Sequence, residues 1–190
     1  MPPATAQPLL ISEEYRLLQQ QMHEHQGYGM ASVRQAPLVA QFIEKFEATE
    51  LLDYGAGKGR LGEALAQHIQ RPLTVHHYDP GVPKWSALPE PCSFVACIDV
   101  LEHIEPELID NVLDDLKRVT TGVGFFSVAT APAGKFLADG RNAHLIQQPA
   151  GWWLHKLIDR FELVAFSRLP KGFWVAVGRK NAQEPDPHAA

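Results

Sequence analysis

The chain has 190 residues with a 45% apolar share, enough for one domain around a single core and too little for the separate substrate domain of a typical nicotinamide dehydrogenase. A formal net charge of −5 excludes a general attraction to nucleic-acid phosphates or to an anionic membrane surface, and no apolar run approaches the length of a membrane span. The two cysteines, Cys92 and Cys97, are too few and too close for a disulfide framework, and no charged segment followed by an apolar one opens the chain, so a reducing, cytoplasmic setting is expected.

Residues 1–11 read as a flexible leader, residues 12–180 as one domain and residues 181–190 as a polar, Pro-containing flexible tail. Ser12 is placed to cap a first helix whose opening turn carries Glu13 and Glu14, and that helix is expected to end before Gly27. A second is expected to begin near Pro37, with Val39, Phe42, Ile43 and Phe46 on one face. The apolar run at Leu51 then enters Asp53-Tyr54-Gly55-Ala56-Gly57-Lys58-Gly59, after which Leu61, Leu65 and Ile69 mark a helix closed by Pro72. Residues 73–79 form a strand ending in Asp79. Pro80, Pro83, Pro89 and Pro91 then shorten to a loop what would otherwise hold a helix and a strand.

The stretch 94–98 reads as a strand leading into Asp99-Val100-Leu101-Glu102-His103-Ile104, and Pro106 as the start of a helix with Ile109, Val112, Leu113 and Leu116 inward and Asp110, Asp114 and Asp115 outward. A buried strand follows over residues 123–129. Pro149 opens a helix whose inward side takes Trp153, Leu154, Leu157, Ile158 and Phe161, and two strands around Pro170-Lys171-Gly172 make a terminal hairpin. The expected fold is α/β: N-terminal helices and a Rossmann-like, mostly parallel sheet, shortened around its third strand and ending in an antiparallel hairpin.

Glycines at alternate positions after a strand let bare backbone approach a nucleotide-like ligand, and an acid at the end of the next strand can accept both hydroxyls of a ribose. The spacing here is G-x-G-x-G, with Arg60 where the dinucleotide fingerprint G-x-G-x-x-G has its third glycine. With Asp53 ahead of the glycines, Asp79 twenty residues past Gly59 and the Asp99 to Ile104 run, the chain resembles the class I S-adenosylmethionine-dependent methyltransferases, in particular their ubiquinone-biosynthesis-like branch. The resemblance spans most of residues 35–180. It implies S-adenosyl-L-methionine as cofactor, with Asp53, Gly55, Gly57 and Gly59 around its methionine part, Asp79 on the ribose, and Asp99 and Val100 lining the site. Arg34 is a candidate for the cofactor carboxylate, and Pro80, Leu88 and Trp85 for the adenine.

The segment after the fifth family strand is dense in polar groups. Asp139, Arg141 and Asn142 are candidates for holding the acceptor, with Trp152 and Trp153 as aromatic surface, and His144 is the candidate general base because imidazole changes charge near neutral pH. His103 is an alternative base or a structural residue; His23 and Tyr28 either cover the pocket or end a helix. No metal is assigned, since His76-His77 and the His23/His25 pair come without further ligands. The implied activity is O- or N-methylation of a small polar metabolite, sugar or nucleotide group. The alternatives are a non-catalytic module that binds the same cofactor, alone or as partner subunit, and a nicotinamide oxidoreductase, which the missing third glycine disfavours.

Overall fold

The structure, a computed structural model, describes residues 8–24 and 31–180; residues 1–7, residues 25–30 with His25 and Tyr28, and the tail 181–190 lie outside the described residues. Helices α1 (Glu13–Glu24) and α2 (Ala31–Lys45) precede β1 (Glu50–Tyr54), α3 (Arg60–Leu65), β2 (Thr74–Tyr78), β3 (Cys92–Ile98), α4 (Ile109–Val119), β4 (Thr120–Ala129), α5 (Ala150–Ile158), β5 (Phe161–Leu169) and β6 (Gly172–Arg179). The six strands form one sheet in the order β2-β1-β3-β4-β6-β5. Pairing is parallel from β2 through β4, whereas β6 runs antiparallel to both β4 and β5. This is the mostly parallel sheet with a C-terminal hairpin that the sequence pattern predicts.

Successive residues of β3 face opposite layers, and both layers are apolar. Val95 and Cys97 join Leu113, Phe126, Trp153 and Phe173 under α4 and α5, while Phe94, Ala96 and Ile98 join Ile43, Leu61 and Phe125 under α2 and α3. Burial on both faces explains why β3 is a continuous apolar run. Between β2 and β3 the chain makes only a short 3-10 turn, Pro83–Trp85, and no strand. Its prolines lack the N–H that a sheet ladder requires.

Several elements differ from their expected limits. Pro37 lies inside α2 instead of opening it; Ala36, Val39, Ala40 and Ile43 are buried against the sheet, and their packing outweighs the backbone bond that Pro37 cannot donate. Helix α3 stops at Leu65, and Ile69 reaches the core from the turn beyond. The described part of the leader is seated on the domain: Leu10 is buried, Asn111 Nδ2 donates to Leu9 O at 2.9 Å, and Ser12 N donates to Glu105 Oε2 at 2.8 Å. Among the described residues, no helix is long and apolar enough to cross a membrane.

Asp115, expected to face outward, is buried on the side of α4 that meets the sheet. There it accepts a 2.8 Å hydrogen bond from Tyr54 Oη and a 2.7 Å bond from Arg118 Nε. Tyr54→Phe leaves a buried carboxylate oxygen without its donor, so urea unfolding is expected to show a loss of about 1–3 kcal/mol at an unchanged m-value.

Candidate active site

The chain leaves β1 for β2 on one side and returns to β3 on the other, and this reversal opens a crevice beyond the carboxyl ends of the strands. A cavity of about 560 Å³ occupies it, within the usual size of small-molecule sites. Arg34, Asp53, Gly55, Gly57, Asp79, Pro80, Asp99, Val100, His103 and His144 all line its wall. Residues as far apart as 34 and 144 thus meet in one place.

One side of the cavity is built on the glycine turn. Gly55 N and Ala56 N both donate to Tyr78 O, at 2.7 and 3.0 Å, which ties the turn to the end of β2. Gly57 has φ +52°, a conformation that costs a side chain, and its N–H donates to Asp79 Oδ2 at 2.7 Å; Gly81 N donates to Oδ1 at 2.8 Å. Asp79 therefore holds the loop amides, one of the two roles open to it from sequence. Each carboxylate oxygen keeps a further lone pair, so this bonding leaves acceptor capacity for a ligand. The other two glycines make room for protein instead: a Cβ on Gly55 would fall 2.3 Å from Val100 Cγ2, and one on Gly59 2.4 Å from Trp85 Cη2.

Asp53, at the end of β1, is almost fully buried and its Oδ2 has no hydrogen-bond partner. Burial, with the charge of Asp79 added, pushes its carboxyl up to about 7. A buried carboxylate in that state is complementary to a cationic ligand group.

The other side is built where β3 and β4 end. Asp99 adopts φ +52°, unusual for a non-glycine residue, and is held there by its N–H donating to Ser127 O at 3.1 Å and by Ser127 Oγ donating to its Oδ1 at 3.1 Å. Gln35 Nε2 donates to the same Ser127 Oγ at 2.9 Å, so α2 braces the pair. Glu102 is fully buried; its Oε1 accepts from Ala129 N at 2.8 Å while Oε2 has no partner. Burial and the nearby Asp99 hold its carboxyl well above the ordinary range. His103 Nδ1 lies 2.7 Å from Ala143 O and His144 Nδ1 2.7 Å from Ala131 O, with the two rings edge to face at 4.8 Å. Burial, then the neighbouring His144, pulls the His103 imidazole down to about 4, which keeps it neutral.

Helix α1 forms the roof. Ser12 Oγ caps it by accepting from Tyr15 N at 3.1 Å, as the sequence suggests, and Tyr15 Oη donates to His103 O at 2.5 Å. Tyr15 and Met22 pack with Leu137 and Ala143 of the loop after β4, so roof and loop share a small core. His23 lines the cavity with its Nε2 3.9 Å from Asp79 Oδ2, and burial lowers its basicity. Tyr15 and Gln19 went unnoticed in the sequence, although Tyr15, Gln19 and Met22 recur at the i, i+4, i+7 spacing of one helix face.

Other expected site residues stand away from the cavity wall. Gly59 is filled over by Trp85, as above. Trp85 stacks on His77 at 4.5 Å, with Lys84 Nζ 3.8 Å from its ring centre, and Leu88 is turned to solvent; neither lines the cavity. Asp139 and Arg141 pair with each other at 2.6 Å on the surface, satisfying in place the charges that made them binding candidates. Asn142 bridges Ala133, accepting from its N–H and donating to its C=O at 2.9 Å each, and so shapes the loop from behind. Trp153 is fully buried in the core under α5, and Trp152 packs beside it with its ring 5.1 Å from Lys156 Nζ.

No protein-family model matches the chain, and none of the curated protein sequences compared with it matches either. Its structure is similar to solved ones. The 1,6-didemethyltoxoflavin-N1-methyltransferase of Burkholderia thailandensis, solved with 1,6-didemethyltoxoflavin and S-adenosylhomocysteine, superposes with a TM-score of 0.65 over 94% of each chain at 16% identity. The magnesium protoporphyrin IX methyltransferase of Synechocystis, solved with S-adenosylhomocysteine, gives 0.59 over 85% of this chain and 93% of that one at 16% identity. The N-methyltransferase NodS of Bradyrhizobium japonicum, also with S-adenosylhomocysteine, gives 0.58 over 90% of this chain and 100% of that one at 12% identity. The fold is that of the class I methyltransferases. In this class I fold the cavity lies at the strand-order reversal, and the sheet lacks one strand between β2 and β3.

The state of Asp53 can be measured. The folded chain keeps a proton on Asp53 up to about 7, whereas an unfolded chain releases it near 3.8. Stability is therefore lost through this group as pH rises between those values, and no further above them. Asp53→Asn removes the ionisation: compared with the wild type by urea unfolding, it is expected to gain about 4 kcal/mol in relative stability between pH 4 and pH 8.

Proposed function

We propose that the protein is an S-adenosyl-L-methionine-dependent methyltransferase acting on a small polar acceptor, and that the cavity holds the cofactor on its Asp53–Asp79 side and the acceptor on its Asp99–His144 side. The observation that carries this is Asp53 Oδ2, a buried and unpartnered carboxylate oxygen of a residue that lines the same cavity as the left-handed Gly57 and the Asp79 that holds it. The residues fit the cofactor: Asp53 offers a counter-charge to its cationic amino-acid end, and Asp79 retains lone pairs for a ribose. Arg34, on the same wall, is placed for a carboxylate. Bound there, the cofactor supplies an activated methyl group on a sulfonium.

The rest is the work of the chain. Tyr15, Gln19 and His23 cover the cavity and reduce water access, and the rigid ends of β3 and β4 fix the wall against which an acceptor is aligned. His144 is the side chain through which the protein acts on the acceptor. A carbonyl oxygen only accepts, so its Nδ1 carries the proton facing Ala131 O, and Nε2 keeps the lone pair. The ubiquinone-biosynthesis-like branch is favoured by the residues 97–104 run, and the cytoplasm by two free, buried cysteines. A non-catalytic cofactor-binding module has no observation in its favour over an enzyme.

Isothermal titration with S-adenosylmethionine is expected to give saturable one-to-one binding. Asp79→Ala should weaken it at least tenfold, since both loop amides lose their anchor with the ribose acceptor. His144→Ala should leave that affinity within threefold while lowering formation of S-adenosylhomocysteine by about 100-fold. Wild-type protein that binds the cofactor and turns over no acceptor across a broad panel would favour the module.

A further inference from the structure

Glu102, His103 and His144 place one donor atom each within 4.8 Å of one another, the two histidines on the cavity wall and Glu102 buried behind it. Both imidazoles direct Nδ1 at a backbone carbonyl 2.7 Å away, Ala143 O for His103 and Ala131 O for His144. The proton of each ring is thereby fixed on Nδ1 and the lone pair on Nε2. Histidine ligands of metals are oriented in this way, by a second contact at the other nitrogen. A single proton acceptor would need one such ring, and here two stand edge to face. Next to His103 in the same short turn is Glu102, wholly buried, with Oε1 accepting from Ala129 N and Oε2 without a partner. A carboxyl group in that position, near the second acid Asp99, is tolerated only with its proton kept or with a cation sharing the oxygen.

We propose that Glu102, His103 and His144 bind a divalent cation whose open positions face the cavity and take a hydroxyl oxygen of the methyl acceptor in place of water. The acceptor part rests on the methyl-transfer reading above; the metal site itself does not. Two imidazoles and one carboxylate suit Zn²⁺, Mn²⁺, Co²⁺ or Fe²⁺ better than Mg²⁺ or Ca²⁺, which take mostly oxygen ligands. Ligands sharing one ion at about 2.1 Å lie at most about 4 Å apart, so the three close on it with side-chain shifts under about an ångström. A hydroxyl on the ion becomes more acidic, and its proton leaves to water at the cavity mouth. The site thus selects an oxygen acceptor. The adjacent pair His76 and His77 offers no such set: His76 is exposed and 3.8 Å from Glu50, and His77 is stacked on Trp85.

The test uses untagged, EDTA-treated full-length protein, titrated without cofactor with Co²⁺ by visible absorption and with Zn²⁺ and Mn²⁺ by calorimetry. One ion per chain is expected, with affinity at least tenfold weaker in Glu102→Gln and in His144→Ala, while circular dichroism and S-adenosylmethionine affinity stay at wild-type levels. Gln keeps the oxygen that accepts from Ala129 N, so Glu102→Gln remains informative if a histidine variant misfolds. Folded wild-type protein that takes up no ion, or that binds it as tightly after Glu102→Gln, overturns the site. Cofactor binding without metal uptake refutes the metal alone; metal uptake without cofactor binding refutes the methyl-transfer reading alone.

Discussion

Two carboxylate oxygens buried without hydrogen-bond partners, on Asp53 and Glu102, set the terms for everything around this cavity. A folded chain tolerates such groups only by keeping them protonated or by meeting them with positive charge. They stand at the ends of β1 and just past β3, the two neighbouring strands between which the connection changes side. Topology thus collects acids that no lysine or arginine among the described residues is shown to pair with. The proposed ligand cation on one side and the proposed metal ion on the other would answer both acids with the same physics.

The surrounding structure serves to hold those acids still. Asp79 pins the glycine turn through two loop amides, Ser127 and Gln35 pin Asp99, and Ala129 N pins one oxygen of Glu102. Beneath them the inner strands β1, β3 and β4 are largely buried, so their ends are fixed in place by packing that does not involve the site. The roof is different in kind. Helix α1 is joined by a few directed contacts, Ser12 to Glu105 and Tyr15 to the His103 carbonyl, and by the small cluster of Tyr15, Met22, Leu137 and Ala143. Fewer buried contacts make it the element most able to move for ligand entry.

What was legible in the sequence is what is local in the chain. The inner parallel strands β1, β3 and β4 announce themselves as apolar runs because they are largely covered, and Gly57, Asp79 and Asp99 are readable because a ligand loop needs those residue types within a few positions of a strand end. The proline-rich stretch before β3 likewise shows that no strand can form there. Illegible were the long-range pairings. Asp115 reads as an outward acid until Tyr54, sixty-one residues away, proves to bond it. Asp139, Arg141 and Asn142 have the composition of a binding loop, but polar groups near one another satisfy each other first. Trp153 looks like a stacking surface and is core. The Glu102, His103 and His144 set escaped because its members come from two loops forty residues apart, each unremarkable alone.

The most direct test of the account is a crystal structure of the protein with S-adenosylhomocysteine and Mn²⁺, with anomalous data for the ion. The account predicts the ribose on Asp79, the amino-acid end beside Asp53 and an anomalous peak among Glu102, His103 and His144. A cavity left empty at saturating ligand, or the ligand bound elsewhere with Asp53 still unpartnered, would contradict it.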